Sequence, residues 1–270
     1  MKNNNLPIGI FDSGLGGLTT VKEFIKILPN ENIVYFGDTG RVPYGTKSQK
    51  IIIKYAKQDI NFLKFKNVKI IIIACGTVSS IVPKISTFDL KLVSTVKPTI
   101  NAAALATKNN RIGIIGTNAT IRSSTYKNEL EKINKNFFVC QKACPMFVPL
   151  VENGITNEND PVAMEIVRRY LEEFKNKNID TLILGCTHYP MLKQVIRKFL
   201  PSNITFVDSG KETAKFTANI LLKKDLLNSS KKPGKYNFFI SDEVSIFKEQ
   251  AKRFLKLEKF SVNEVSIEKF

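Results

Sequence analysis

Asn67-Val68-Lys69-Ile70-Ile71-Ile72-Ile73-Ala74-Cys75 aligns without a gap on Asn178-Ile179-Asp180-Thr181-Leu182-Ile183-Leu184-Gly185-Cys186. Both stretches run from an asparagine through a short apolar core to a small residue and then a cysteine. An apolar run of this length bounded by turn residues fits a strand buried on both faces, the kind that builds parallel sheets. Each cysteine then leaves the carboxyl end of its strand. Ligands of open α/β sheets bind in the crevice beyond that edge.

Outward from these two stretches the same order of elements occurs twice. Candidate strands fall at residues 6–11, 33–37, 69–74 and 92–96, and again at 112–115, 137–139, 181–184 and 204–208. Amphipathic stretches separate them, the pattern of βα units. Ile8-Gly9-Ile10-Phe11 resembles Ile112-Gly113-Ile114-Ile115, and each ends at a polar, glycine-containing turn. Chance similarity between buried strands, which are apolar anyway, is the competing reading. Four matched strands with matched cysteines favour duplication. The expected fold class is α/β, with two pseudo-symmetric flavodoxin-like or Rossmann-like domains of mostly parallel four-stranded sheets. Halves packed face to face would bring Cys75 and Cys186 across one cleft.

The boundary is expected near Lys97-Pro98, giving a first domain of 1–97 plus 209–270 and a second of 98–208. A helix over 211–224 leads to the breaker Lys231-Lys232-Pro233-Gly234, then a strand over 236–241 and a helix over 242–255. This tail has no counterpart in the repeat and is expected to extend the first half or seal the interface.

Composition narrows the class. The 270 residues suffice for one large α/β domain or two compact ones. Hydrophobic residues at 43% and charged residues at 24% are the balance of a globular protein, not a disordered one. Residues 1–7 are polar without a secretory apolar core, and the run 70–75 is too short to span a bilayer, so a cytoplasmic protein with no membrane partner is expected. The four cysteines are then expected to be reduced thiols. Cys140 and Cys144 lack a matching Cys/His pair, so they are expected to pack, with no metal site. A net charge of +17 raises nucleic acid as a partner. The basic residues are scattered singly or in pairs such as Lys223-Lys224, which points to compositional drift and no specific nucleic-acid partner. Such a field would still gather an acidic substrate.

Several loops fall at the active edge. Asp12-Ser13-Gly14-Leu15-Gly16-Gly17 follows the first strand without the lysine of a Walker loop or the spacing of a dinucleotide fingerprint. It can hold a carboxylate on backbone N–H groups, or it can be an ordinary capped turn. Arg41-Val42-Pro43-Tyr44-Gly45-Thr46 follows the second strand, where Tyr44 either contacts substrate or packs. Cys75 and Cys186 precede helices whose N-termini are expected to lower the thiol pKa. His188, the one histidine, either assists Cys186 or is structural.

Two facing cysteines allow disulfide redox chemistry or stereochemical inversion. Thiol oxidoreductases usually keep their pair as Cys-x-x-Cys, whereas these are separated by most of the chain. Inversion needs an acid/base on each side of one carbon, which a pseudo-twofold cleft supplies.

Phe11-Asp12-Ser13-Gly14-Leu15-Gly16-Gly17-Leu18-Thr19, Gly37-Asp38-Thr39 with Arg41 to Gly45, Ala74-Cys75-Gly76-Thr77, Cys144-Pro145 with Pro149-Leu150-Val151-Glu152, and Leu184-Gly185-Cys186-Thr187-His188-Tyr189-Pro190 resemble, in order and spacing, the motifs of the glutamate racemases. The resemblance covers residues 8 to about 210. It implies cofactor-independent interconversion of L- and D-glutamate, supplying D-glutamate for peptidoglycan, by a homodimer. It makes Cys75 the base toward D-glutamate and Cys186 the base toward L-glutamate. Asp12, His188 and Glu152 would support them. Asp12, Ser13, Tyr44, Gly45, Gly76, Thr77, Thr120, Thr187 and His188 fall at substrate-holding positions. One departure stands out, because Gly76 occupies the place where the family usually has asparagine. Aspartate racemase is the nearest rival and a basic binding protein a more distant one. A pyridoxal-phosphate racemase would need a Schiff-base lysine, and no lysine stands out at a strand end.

Overall fold

The structure, a computed structural model, describes residues 3–81 and 91–270. Its strands are β1 (Ile8–Asp12), β2 (Ile33–Gly37), β3 (Ile70–Ile73), β4 (Leu92–Ser94), β5 (Arg111–Gly116), β6 (Phe138–Ala143), β7 (Thr181–Leu184), β8 (Thr205–Asp208), β9 (Tyr236–Ile240) and β10 (Ser261–Glu264). The helices are α1 (Leu18–Ile27), α2 (Gln49–Phe65), α3 (Gly76–Ser79), α4 (Val96–Ala106), α5 (Asn118–Ser123), α6 (Thr125–Ile133), α7 (Phe147–Glu152), α8 (Pro161–Leu171), α9 (Lys193–Lys198), α10 (Ser209–Lys223) and α11 (Val244–Leu255).

Two parallel sheets result, one ordered β10-β9-β2-β1-β3-β4 and the other β6-β5-β7-β8. The order β2-β1-β3-β4 recurs as β6-β5-β7-β8. The register recurs as well, since Ile8 lies beside Ile70 and its counterpart Ile112 lies beside Thr181. Asn67 and Asn178, which open the two aligned stretches, both adopt positive φ, at 54° and 48°. A Cβ added at Gly9 would meet Val68 and Leu63, and one added at Gly113 would meet Ile179 and Phe174, the residues that match them in the other half. Packing details at this level are the mark of a repeated unit.

The first sheet differs from expectation in having six strands. β9 pairs with β2 and β10 with β9, so the tail extends the first half. β10 reads Ser-Val-Asn-Glu and is mostly exposed, which is why no apolar pattern announces it. β6 also runs on to Ala143, because its half-exposed edge position tolerates Gln141 and Lys142.

Each sheet is sandwiched between helices. Ile70 and Ile72 face a core with α1, α10 and α11, while Ile71 and Ile73 face α2. That two-sided burial is what an uninterrupted isoleucine run requires. In the second sheet Leu182 and Leu184 face α7 and α8, and Ile183 faces α4 and α6. Asp208, at the end of β8, caps α10 by accepting from the Gly210 and Lys211 amides at 3.0 and 3.2 Å. This returns the chain to the first half. No helix among the described residues is long and apolar enough to cross a membrane.

Candidate active site

The carboxyl ends of β1, β3, β5 and β7 face a single cavity of about 60 Å³ that both Cys75 and Cys186 line. That is room for more than one water. The two cysteine loops meet back to back. A Cβ added at Gly76 would lie 2.2 Å from the Gly185 carbonyl oxygen, so the loops approach this closely only because residue 76 has no side chain.

Further contacts clamp the halves together. Thr19 Oγ1 donates to the Thr187 carbonyl at 2.8 Å, and the Thr77 and Thr117 hydroxyls share a hydrogen bond of 2.9 Å. A Cβ at Gly16 would lie 2.4 Å from His188 Nδ1, so this glycine of the first turn is the bare surface on which the second half rests.

Each cysteine has its own polar neighbours. Cys75 Sγ lies 3.8 Å from Ser13 Oγ. Asp12, behind it, accepts from the Gly14 and Gly17 amides at 3.1 and 3.0 Å and from Thr187 Oγ1 at 3.2 Å. Cys186 Sγ lies 3.7 Å from His188 Nδ1, and His188 Nε2 lies 3.1 Å from Glu152 Oε1.

Burial, with Asp12 adding repulsion, pushes the Cys75 thiol up to about 12. The expectation that its helix start would lower the thiol pKa is overturned, because α3 is a single four-residue turn and desolvation outweighs it. Burial alone would lower His188. Its hydrogen bonds to Cys186 and Glu152 win, and hold the imidazole up at about 10. Burial raises Asp12 against the pull of His188 and its own hydrogen bonds. Near neutral pH the cleft therefore presents a protonated thiol on one side and an imidazolium beside the other cysteine.

The loop after β2 is held from below. Tyr44, which lines the cavity, donates its hydroxyl to Asp38 and lies 3.1 Å from Asp59 Oδ2. Arg41 Nε donates to Asp38 at 2.6 Å, and Arg41 Nη2 lies 3.4 Å from Asp59. A Cβ at Gly45 would lie 2.8 Å from Thr117 Cβ, so this loop too touches the second half.

Of the residues singled out in the sequence, Ser13, Tyr44, Gly45, Cys75, Gly76, Thr77, Cys186, Thr187 and His188 line the cavity. Asp12, Glu152 and Thr120 stand one side chain behind, against Thr187, His188 and Thr117 respectively. Cys144 is fully buried in the second core and Cys140 half-buried on the edge strand. The sequence reading missed Thr117, Asn118, Val148 and the Arg41–Asp38–Asp59 support. Thr117 and Asn118 follow β5 as Ser13 follows β1, a signal the repeat carried.

Residues 27–217 match the family model described as Asp/Glu/Hydantoin racemase. A glutamate racemase from a Thermoanaerobacter species is 45% identical over 98% of this chain and 98% of its own. Among solved structures, a Francisella tularensis glutamate racemase in complex with D-glutamate superposes with a TM-score of 0.90 at 38% identity, covering 99% of this chain and 100% of its own. A Bacillus anthracis glutamate racemase isoform gives 0.92 at 35%, covering 97% and 98%. The duplicated sheets, the paired cysteine loops and these likenesses agree: the chain is an isomerase and belongs to the Asp/Glu/Hydantoin racemase family.

Proposed function

We propose that this protein interconverts L- and D-glutamate by a two-base mechanism in which Cys75 and Cys186 work on opposite faces of the α-carbon. The observation that carries it is the cavity lined by both cysteines, with a protonated thiol on one wall and a cationic His188 beside the other. Cys186 takes the α-proton of L-glutamate, and the carbanion is reprotonated by Cys75 on the opposite face to give D-glutamate. One C–H bond breaks and one forms, and the two thiols have exchanged protonation. The reverse reaction starts with Cys75 as base. His188 donates Nδ1–H to the Cys186 sulfur and Nε2–H to Glu152. The Glu152 side chain is 31% exposed, which gives the histidine a path to water for resetting.

The reaction needs no cofactor in this scheme. Preorganised hydrogen bonds in a closed, water-poor cleft stabilise the charge that develops. The two domains are 1–97 with 209–270, and 98–208, and they close on the substrate between them. The enzyme is a cytoplasmic homodimer whose D-glutamate enters peptidoglycan. The four enantiomers of glutamate and aspartate, assayed by chiral chromatography without added cofactor, test the substrate. Turnover of both glutamates supports the reading, and turnover confined to aspartate overturns it.

A further inference from the structure

Polar side chains line the cavity from both halves, and all but one of them are already engaged. Ser13 pairs with Cys75, Thr77 with Thr117, Thr187 with Asp12, and Tyr44 with Asp38 and Asp59. Thr46 donates to the Pro43 carbonyl, and His188 stands between Cys186 and Glu152. The exception is Asn118. It lines the cavity, is half-buried, and its side-chain amide makes no hydrogen bond among the described residues. A half-buried amide at a cavity wall keeps two donors and an acceptor in hand.

Its position has a second meaning. Gly76 offers no polar side chain to the cavity, only its backbone, and no side chain fits there, because the obstruction is the backbone of Gly185 and not a movable side chain. The Thr77–Thr117 hydrogen bond ties the residue after Gly76 to the residue before Asn118. Asn118 thus comes from the opposite half to the same stretch of the cleft. Among the described residues no lysine or arginine lines the cavity, so a carboxylate held by them depends on neutral donors and on His188.

We infer that Asn118 is a substrate-binding residue whose side-chain amide donates to a carboxylate oxygen of the amino acid, doing from the second half what a side chain at position 76 cannot do from the first. The inference rests on the proposed glutamate chemistry. Because the contact persists unchanged through proton transfer, it contributes to binding more than to the chemical step.

The test compares steady-state kinetics of the wild type, Asn118→Ala and Asn118→Asp with both glutamate enantiomers, with melting temperatures to verify folding. A charge-assisted hydrogen bond predicts a rise of about ten-fold or more in KM for Asn118→Ala, with kcat held within about two-fold. Asn118→Asp sets an anion against an anion and should raise KM further. The double variant Gly76→Asn with Asn118→Ala should not regain the wild-type KM, since residue 76 has no room for a side chain. An unchanged KM in a folded Asn118→Ala, or restoration by the double variant, overturns the inference alone. A wild type inactive on glutamate overturns the parent reading, and this inference with it.

Discussion

Cys75 keeps its proton and His188 keeps its charge for opposite reasons. Burial starves the thiolate of water, with Asp12 adding repulsion, while two hydrogen-bond partners rescue an imidazolium that burial alone would discharge. Both folded pKa values lie above their unfolded ones, near 12 against 9.0 and near 10 against 6.5. The folded state therefore binds more protons in each window. The His188 contribution to stability is full below pH 6.5 and is lost as pH climbs through about 10, and the Cys75 contribution is lost between pH 9.0 and about 12. Chemical denaturation from pH 6 to pH 10 should show falling stability, and His188→Gln should flatten that fall. A wild-type profile that rises over this range would contradict the assignment. The raised Cys75 thiol predicts that kcat/KM for D-glutamate, which needs Cys75 as base, is still rising with pH above 9. A profile already flat at that pH would count against it. At this scale the cysteines were legible because they end matched strands. Asn118 was not, because an asparagine after a strand looks like an ordinary turn until its neighbours' hydrogen bonds are known.

Two turns and one buried network carry the geometry at the scale of elements. Gly16 and Gly76 each let one half press onto the other, with an added Cβ landing 2.4 Å from His188 and 2.2 Å from Gly185. Gly76→Ala must displace backbone, so its activity should fall at least about hundred-fold while the separate sheets stay folded by circular dichroism. Near-normal turnover would show that the cleft works in a more open form. Arg41 answers to two buried carboxylates that also hold Tyr44. Removing a partner from a buried charge costs about 3–5 kcal/mol, and Arg41→Met should fall at the low end of that range. Asp59, pushed well up by burial and by Asp38, can take a proton instead. The accompanying sign is a raised KM as the 43–45 loop shifts, and an unaltered KM with unaltered stability would refute the supporting role. Most strands were legible as apolar runs between turn residues. β10 and the second half of β6 were not, because edge strands carry polar side chains on their open side.

For the whole molecule, the repeat explains why the two bases face each other. A unit ordered β2-β1-β3-β4 that follows its third strand with a cysteine, when doubled and packed with the strand carboxyl ends facing, produces a cleft with a thiol on each wall. The duplication was readable from nine aligned residues at each cysteine, and the recurrence of strand order, register and glycine packing in the structure deepens it. The extra β9 and β10, which make the first half larger, belong to no repeat. The net charge of +17 is a global property, and among the described residues no lysine or arginine lines the cavity itself. The field then acts on the approach of an acidic substrate, so kcat/KM should fall with added salt while kcat holds. Salt-independent kcat/KM would remove steering from the account. The two-thiol claim is tested most directly by incubating the enzyme with D-glutamate in deuterated water, without cofactor, alongside Cys75→Ser and Cys186→Ser. The account predicts deuterium at Cα as L-glutamate appears, with racemisation crippled in each variant. Racemisation by the wild type that either variant sustains at a comparable rate would contradict it.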